Sequence, residues 1–367
     1  MDSLELDRVT TLFTDRRLSR RQAMLRSGAG LAAAGMVTAG LDRAAAAQDL
    51  DPAATPVAPT PPAWEEIDRQ RSALAPATTL LAAELVGGVP TTIHGLNADQ
   101  VFPVGSSFKF YVLGTLAKQI QAGLVSWDQL IAIEQKYKSV PSGDLRFAPS
   151  GTEYTVRYVA ERMMQKSDNT ATDVLIALVG RENVEQMMET MGHHDPGLNI
   201  PVLTTREFAF MKLAVPTDRL DAYFAASVPD RRQILANEVD TMPEEILANV
   251  DQVKPIEVDR VEWFASRNDL AQAVAWLWAE SQKSGMRPIA EVIALETQLA
   301  FNGEVWPYVG FKGGSELGVL SATWLLERAD RRMFMYSLGF KNPDAGLDLP
   351  AIVPVMELGR DRLAATP

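Results

Sequence analysis

A serine and a lysine one helical turn apart are the first residues in this sequence whose types and spacing can do chemistry. Ser106 and Lys109 stand where a strand-like run, Val101 to Val104, gives way to a helix expected to begin near Ser107. At i and i+3 both side chains share one helix face. A serine hydroxyl is a weak nucleophile until a base takes its proton, and a desolvated lysine can be neutral enough to do so. The amide of Ser106, at a helix N-terminus, is also placed to stabilise an oxyanion. The competing reading is an N-cap serine beside a solvated lysine, and the spacing alone is too common to choose.

Two later clusters offer matching chemistry. Ser167-Asp168-Asn169 falls between two expected helices. Its short polar side chains can cap the second helix or form a turn. They can also supply a second hydroxyl to relay a proton and an Asn169 amide to hold Lys109 or a substrate. Lys312-Gly313-Gly314-Ser315 falls on an expected strand, where paired glycines let a ligand backbone approach closely and a cation can bind a substrate carboxylate. Taken alone, that cluster also reads as a strand end with a surface lysine.

The elements that must position these residues follow from periodicity. Helical stripes run through Phe108, Val112, Leu116 and Ile120; through Val156, Val159, Ala160, Met163 and Met164; and through Val174, Leu175, Leu178 and Val179. A short helix is expected over Glu65 to Leu74. Strands are expected over Thr78 to Leu85 and Thr91 to Leu96 around Gly87-Gly88, then over Tyr308 to Lys312, Leu317 to Leu326 and Arg332 to Phe340, with a closing helix from Leu349 to Leu363. Strands at both ends and helices between imply an α+β fold: a five-stranded antiparallel sheet covered by helices, with a mainly helical lobe. The acidic stretch 215–262 reads as an accessory helical insertion.

Composition narrows the partners. Lys and Arg number 35 against 47 Asp and Glu, a formal charge of -12, which lacks the footprint of a nucleic-acid binder. With no cysteine, there are no disulfides, thiolate metal sites or cysteine nucleophiles. His94, His193 and His194 are the only histidines, and the adjacent pair lacks the same-face spacing of a helical metal site, so neither metal nor cofactor is expected. Residues 1–47 read as a twin-arginine export signal: Arg20-Arg21, a weakly apolar run from Gly28 to Leu41, Arg43, and a small-residue cleavage site at Ala44 to Ala47. The expected protein is exported, periplasmic or extracellular, and tethered to the membrane only if the signal stays. A proline-rich linker follows over residues 48–63, and no membrane span is expected in the mature chain, residues 48–367.

Together the three clusters resemble the motifs of the class A β-lactamases and penicillin-binding proteins: Ser-x-x-Lys, Ser-Asp-Asn and Lys-Thr-Gly, in that order. Phe102-Pro103 precedes the first motif and Thr170-Ala171 follows the second, as in that family. The resemblance implies Ser106 as nucleophile, Lys109 as its base, Ser167 and Asn169 as relay and positioning groups, and Lys312 as electrostatic anchor. It places Gly314 on the binding strand, with the second oxyanion amide at Ser315. Gly313 stands where the family has Thr. The family's Glu-Pro-Glu-Leu-Asn loop has its nearest counterpart in Asp195-Pro196-Gly197-Leu198-Asn199, so Asp195 is a candidate to activate the deacylating water. A plain Asp–Pro–Gly turn is the alternative. A Ser-His-Asp triad has little support, since Ser106 is in no Gly-x-Ser-x-Gly elbow. Trp263, Trp306 and Trp324 are candidates to line a cleft, with core packing the stronger reading.

The expected substrate is a small molecule: a β-lactam, an ester or a peptidoglycan-like peptide. Fast release of the acyl group makes a hydrolase, and slow release a penicillin-binding peptidase or covalent sensor. A non-catalytic cell-envelope binding protein is the alternative of a different class.

Overall fold

The computed structural model describes residues 61–249, 252 and 254–367. The expected export signal and nearly all of the linker lie outside the described residues. In chain order the helices are α1 Trp64–Ser72, α2 Lys109–Gln121, α3 Val156–Gln165, α4 Asn169–Val179, α5 Arg181–Thr190, α6 Thr205–Leu213, α7 Thr217–Ala225, α8 Val228–Ile234, α9 Arg267–Ser281, α10 Pro288–Ile293 and α11 Leu349–Ala364. The strands are β1 Ala77–Val86, β2 Val89–Leu96, β3 Phe102–Pro103, β4 Leu130–Ile133, β5 Thr152–Thr155, β6 Phe264–Ala265, β7 Tyr308–Glu316, β8 Val319–Glu327 and β9 Met333–Lys341.

The sheet has the expected five strands, in the order β2-β1-β9-β8-β7, and every neighbouring pair is antiparallel. Joining chain ends in the middle of a sheet requires β1 and β9 to be buried, and their sequences supply this: Leu80 pairs with Leu338 and Ala82 with Tyr336. β8 is buried at all but its last position, as a nearly unbroken apolar run demands of an interior strand covered on both faces. On one face Leu320, Ala322, Trp324 and Leu326 pack with Trp64 and Ile67 of α1 and Ile352 and Val355 of α11. On the other, Leu325 and Met335 join the larger core built on α2, α3, α4 and α9.

The helical body follows its stripes. α3 buries Val156, Val159, Ala160, Met163 and Met164, and Thr155 caps it by accepting from the Tyr158 amide. The 215–262 stretch contributes α7 and α8, and its Leu220, Tyr223, Leu235, Val239 and Val261 belong to the same core as α2.

Two boundaries near Ser106 differ from expectation. The Val101 to Val104 strand shrinks to β3, held by β6. Ser106 lies not in an α-helix but in a 3-10 turn, Gly105–Phe108, with the α-helix starting at Lys109. Gly105 is the reason: its φ of +47° turns the chain sharply between strand and helix, a conformation that favours glycine.

Trp324 is fully buried, sits against Phe311 and Tyr336, and donates from Nε1 to the Thr297 carbonyl at 2.8 Å. Its replacement by alanine is expected to cost about 3–5 kcal/mol of unfolding free energy in denaturant titration; a change near zero would mean that this face of the sheet does not carry the core.

Candidate active site

The turn bearing Ser106 is fixed from below and from both sides. The Val104 amide donates to the Trp263 carbonyl at 2.8 Å, and Ser107 Oγ donates to Ser321 Oγ of β8 at 3.2 Å. Phe108 stacks on Trp263 with ring centroids 4.0 Å apart, and Phe208 covers the other side of that indole at 4.6 Å. Trp263 is therefore a support beneath the nucleophile turn, and Trp306 and Trp324 are buried core residues.

Lys109 is fully buried. Its Nζ donates to the Ser167 carbonyl at 2.6 Å and to Asn169 Oδ1 at 2.9 Å, and lies 3.2 Å from Ser167 Oγ. Lys312, also buried, donates from Nζ to Ser167 Oγ at 2.9 Å and to the Gly313 carbonyl at 2.6 Å. The structure thus gathers Lys109, Ser167, Asn169 and Lys312 around one hydroxyl. Burial pulls Lys109 down from 10.5 to about 7, against the opposing pull of Asp168 and Asp173. Burial, with the charge of Lys109 close by, holds Lys312 well below its ordinary value. A neutral Lys109 satisfies the geometry fully. Its two N–H bonds can serve Ser167 O and Asn169 Oδ1 while Ser167 Oγ accepts from Lys312, which leaves the Lys109 lone pair to take a proton. None of the hydrogen bonds of Lys109 goes to Ser106, which is half-buried one turn away.

Ser167 adopts φ +53°, unusual for a residue with a side chain. Its surroundings enforce this. Asp168 caps α4 through the Ala171 amide and accepts the amides of Asp144 and Leu145, each at 2.8 Å. Ser142 Oγ donates to the Ser167 carbonyl at 2.8 Å, and Asn169 Nδ2 to the Val140 carbonyl at 2.7 Å. The capping and functional readings of Ser167-Asp168-Asn169 are both realised, on different residues.

On β7, close approach is the task of Gly314, and the partner is this protein's own chain. A Cβ there would lie 2.1 Å from the Val104 carbonyl oxygen and 2.4 Å from the Ser106 amide nitrogen. Reciprocally, a Cβ on Gly105 would lie 3.1 Å from the Ser315 amide nitrogen. The amides of Ser106 and Ser315 therefore flank one backbone contact. At Gly313 an added carbon would meet only the far edge of the Phe311 ring at 2.9 Å, so this glycine is under a weaker constraint than Gly314.

Residues 88–249 match the sequence profile of the β-lactamase enzyme family. Among solved structures, a β-lactamase from Sphaerobacter thermophilus superimposes with a TM-score of 0.56 at 18% identity, covering 83% of this chain and 99% of that one. PBP-A gives 0.52 at 15%, over 82% and 94%. An ancestral class A β-lactamase gives 0.56 at 13%, over 82% and 99%. No curated protein matches at the sequence level. The chain has a β-lactamase-like fold. At these identities the solved structures establish the fold.

Within this fold the loop after α5 stands apart from the lysine cluster. Asp195 is exposed, its amide donates to His193 Nδ1 at 3.2 Å, and no hydrogen bond or ion pair among the described residues links its carboxylate to Ser106, Lys109 or Ser167. Asn199 is occupied by β6, accepting from the Phe264 amide at 2.8 Å and donating to its carbonyl at 2.9 Å. His193 and His194 do meet a carboxylate, Asp269, with ligand atoms all within 4.8 Å. Asp269 already accepts the Ser266 and His194 amides and forms the capping box of α9. Adjacent spacing concealed this cluster, because its third member comes from 75 residues downstream.

The sequence reading also missed a buried carboxyl pair under the nucleophile turn. Glu262 Oε2 accepts the amides of Gly105 at 3.1 Å and Trp263 at 2.7 Å. The Glu316 carboxyl lies within hydrogen-bonding reach of it and is paired in turn with the Lys212 ammonium. No local spacing relates residues 105, 212, 262 and 316.

The two glycines of β7 are separable by substitution. Gly314→Ala is expected to lower the reactivity of Ser106 toward acylating probes by roughly 100-fold, because the turn must shift by about an ångström. Gly313→Ala, which displaces only a ring edge, is expected to cost about tenfold or less. Equal effects in an intact-mass labelling assay would contradict this assignment.

Proposed function

We propose that this protein is a serine hydrolase that forms an acyl-enzyme on Ser106 with β-lactam amides or related esters. The observation carrying the proposal is the buried Lys109 amine, held near neutrality one turn from Ser106 and joined through Ser167 to a second buried lysine. Ser106 Oγ attacks the carbonyl carbon, and its proton passes to Lys109. The oxyanion forms between the Ser106 and Ser315 amides. As the carbon–nitrogen or carbon–oxygen bond breaks, the proton returns through Ser167 to the leaving atom, and water later releases the acyl group.

Lys312 is the electrostatic anchor of this scheme. A substrate carboxylate beside its amine favours the charged form that burial disfavours, so binding an acidic substrate draws a proton into the site. A variant of PBP-A has been solved as an acyl-enzyme complex with penicillin G, which supports penicillins as the first probes.

A second reading, slow release as in a penicillin-binding peptidase, is favoured by the exposure of Asp195 and its separate bonding. Release rates of wild type and Asp195→Ala decide between them. Slower release in the variant gives Asp195 the water-activating role, and an unchanged rate removes it.

Intact-mass measurements after adding penicillin should show one acyl adduct on the wild type and none on Ser106→Ala. Because Lys109 is a base only when neutral and its pKa is lowered to about 7, the acylation rate should rise with pH through that region and fall below it. Labelling of Ser106→Ala, or a rate that rises only near the ordinary lysine pKa, would overturn the proposal.

A further inference from the structure

The carboxyl pair beneath the nucleophile turn has a charge arrangement that structural support alone does not require. Glu262 is buried, and both of its amide contacts fall on Oε2. Its Oε1 is buried with no donor among the described residues. The group within hydrogen-bonding reach is the carboxyl of Glu316 at the end of β7. Two carboxylates only accept, so this contact is a hydrogen bond only when one of them carries a proton. Lys212, from α6, pairs with Glu316 and has a side chain 2% exposed. Among the described residues, Lys212 and Glu316 are the charged groups facing Glu262 from the packed elements. Burial raises both carboxyls above their ordinary range.

Position gives the cluster its meaning. Glu262 holds the Gly105 N–H, in the Val104–Gly105 peptide one unit before the Ser106 amide. Glu316 ends the strand in which Gly314 lies against Gly105 and Ser106. The pair therefore spans the two segments that carry the Ser106 and Ser315 amides. A net negative charge at this point would oppose an oxyanion forming above it, whereas one retained proton leaves two carboxyls and one ammonium neutral overall.

We propose that Glu262 is a positioning residue for acyl transfer: paired with Glu316 through one retained proton beside Lys212, it fixes the Val104–Gly105 peptide, and with it the Ser106 turn, against β7 and keeps the floor of the oxyanion site uncharged. The inference rests on the reading of Ser106 as the acylated serine. Raising the pH removes the shared proton, so acylation should decline at alkaline pH after its rise through the titration of Lys109. A glutamine at 262 accepts from both amides and donates to Glu316 without a titratable proton.

The test uses the full chain as wild type, Glu262→Gln and Glu262→Ala, with two readouts. Infrared difference spectra at neutral pH should show a protonated-carboxyl band in the wild type that Glu262→Gln removes. Penicillin acylation followed by intact mass should show an alkaline decline in the wild type that Glu262→Gln lacks. Glu262→Ala should acylate about 10–100-fold more slowly, and glutamine should restore most of that loss. If the alanine variant does not fold, the glutamine variant decides through its pH profile. Absence of the difference band, or an alkaline decline unchanged in Glu262→Gln, overturns the proposal. A wild type that fails to acylate would instead sink the reading of Ser106, and the infrared band would still report on the pair.

Discussion

Two lysine amines held out of water around the hydroxyl of Ser167 are the constraint to which the rest of the molecule answers. Among the described residues neither amine has a carboxylate as its direct partner: Lys109 bonds to a carbonyl, a hydroxyl and an amide oxygen, and Lys312 to a hydroxyl and a carbonyl. Burying two ammonium groups this way is unfavourable, and the cost is lowered when protons leave. The site therefore holds at least one amine poised to accept a proton. The nearby carboxylates are kept one step back. Asp168 is engaged by three backbone amides, and Asp173 by the Thr205 and Arg206 amides. They moderate the shift of Lys109 without neutralising its function as a base.

Holding such a cluster demands rigid supports, and the strained left-handed backbone of Ser167 shows how firmly they act. β7 brings Lys312 in from the sheet, α2 brings Lys109 from the helical body, and the turn before α4 brings Ser167 between them. The Gly105–Gly314 contact then locks sheet to nucleophile turn at a distance no side chain permits. Large aromatic groups fill the space behind, with Trp263 clasped by Phe108 and Phe208.

Much of this was legible in the sequence where the signal is local. The i, i+3 spacing of Ser106 and Lys109, the capping geometry of Asp168 and the apolar strands at both ends each follow from a few adjacent residues. The three motifs together also indicated the class of fold. What escaped is non-local. The 3-10 turn at Ser106 depends on Gly105 meeting Gly314, two residues far apart in sequence. Asn199 resembled a site residue in its loop but spends its amide on β6. The Glu262–Glu316–Lys212 cluster draws on three elements, and Asp269 meets the two histidines only because α9 folds back on their loop. Charged residues in ordinary-looking helices and strands carry no mark of burial until a partner segment covers them.

Activation of Ser106 requires that a substantial fraction of Lys109 be deprotonated at neutral pH, and lysine side-chain NMR reads this out. With lysine labelled at the carbon beside Nζ, a titration followed by heteronuclear shifts should reveal a resonance with a midpoint near 7, assigned to Lys109 by its disappearance in Lys109→Arg. If the Lys109 resonance instead titrates near the ordinary value of 10.5, the amine is charged at neutral pH and the account of Ser106 activation is wrong.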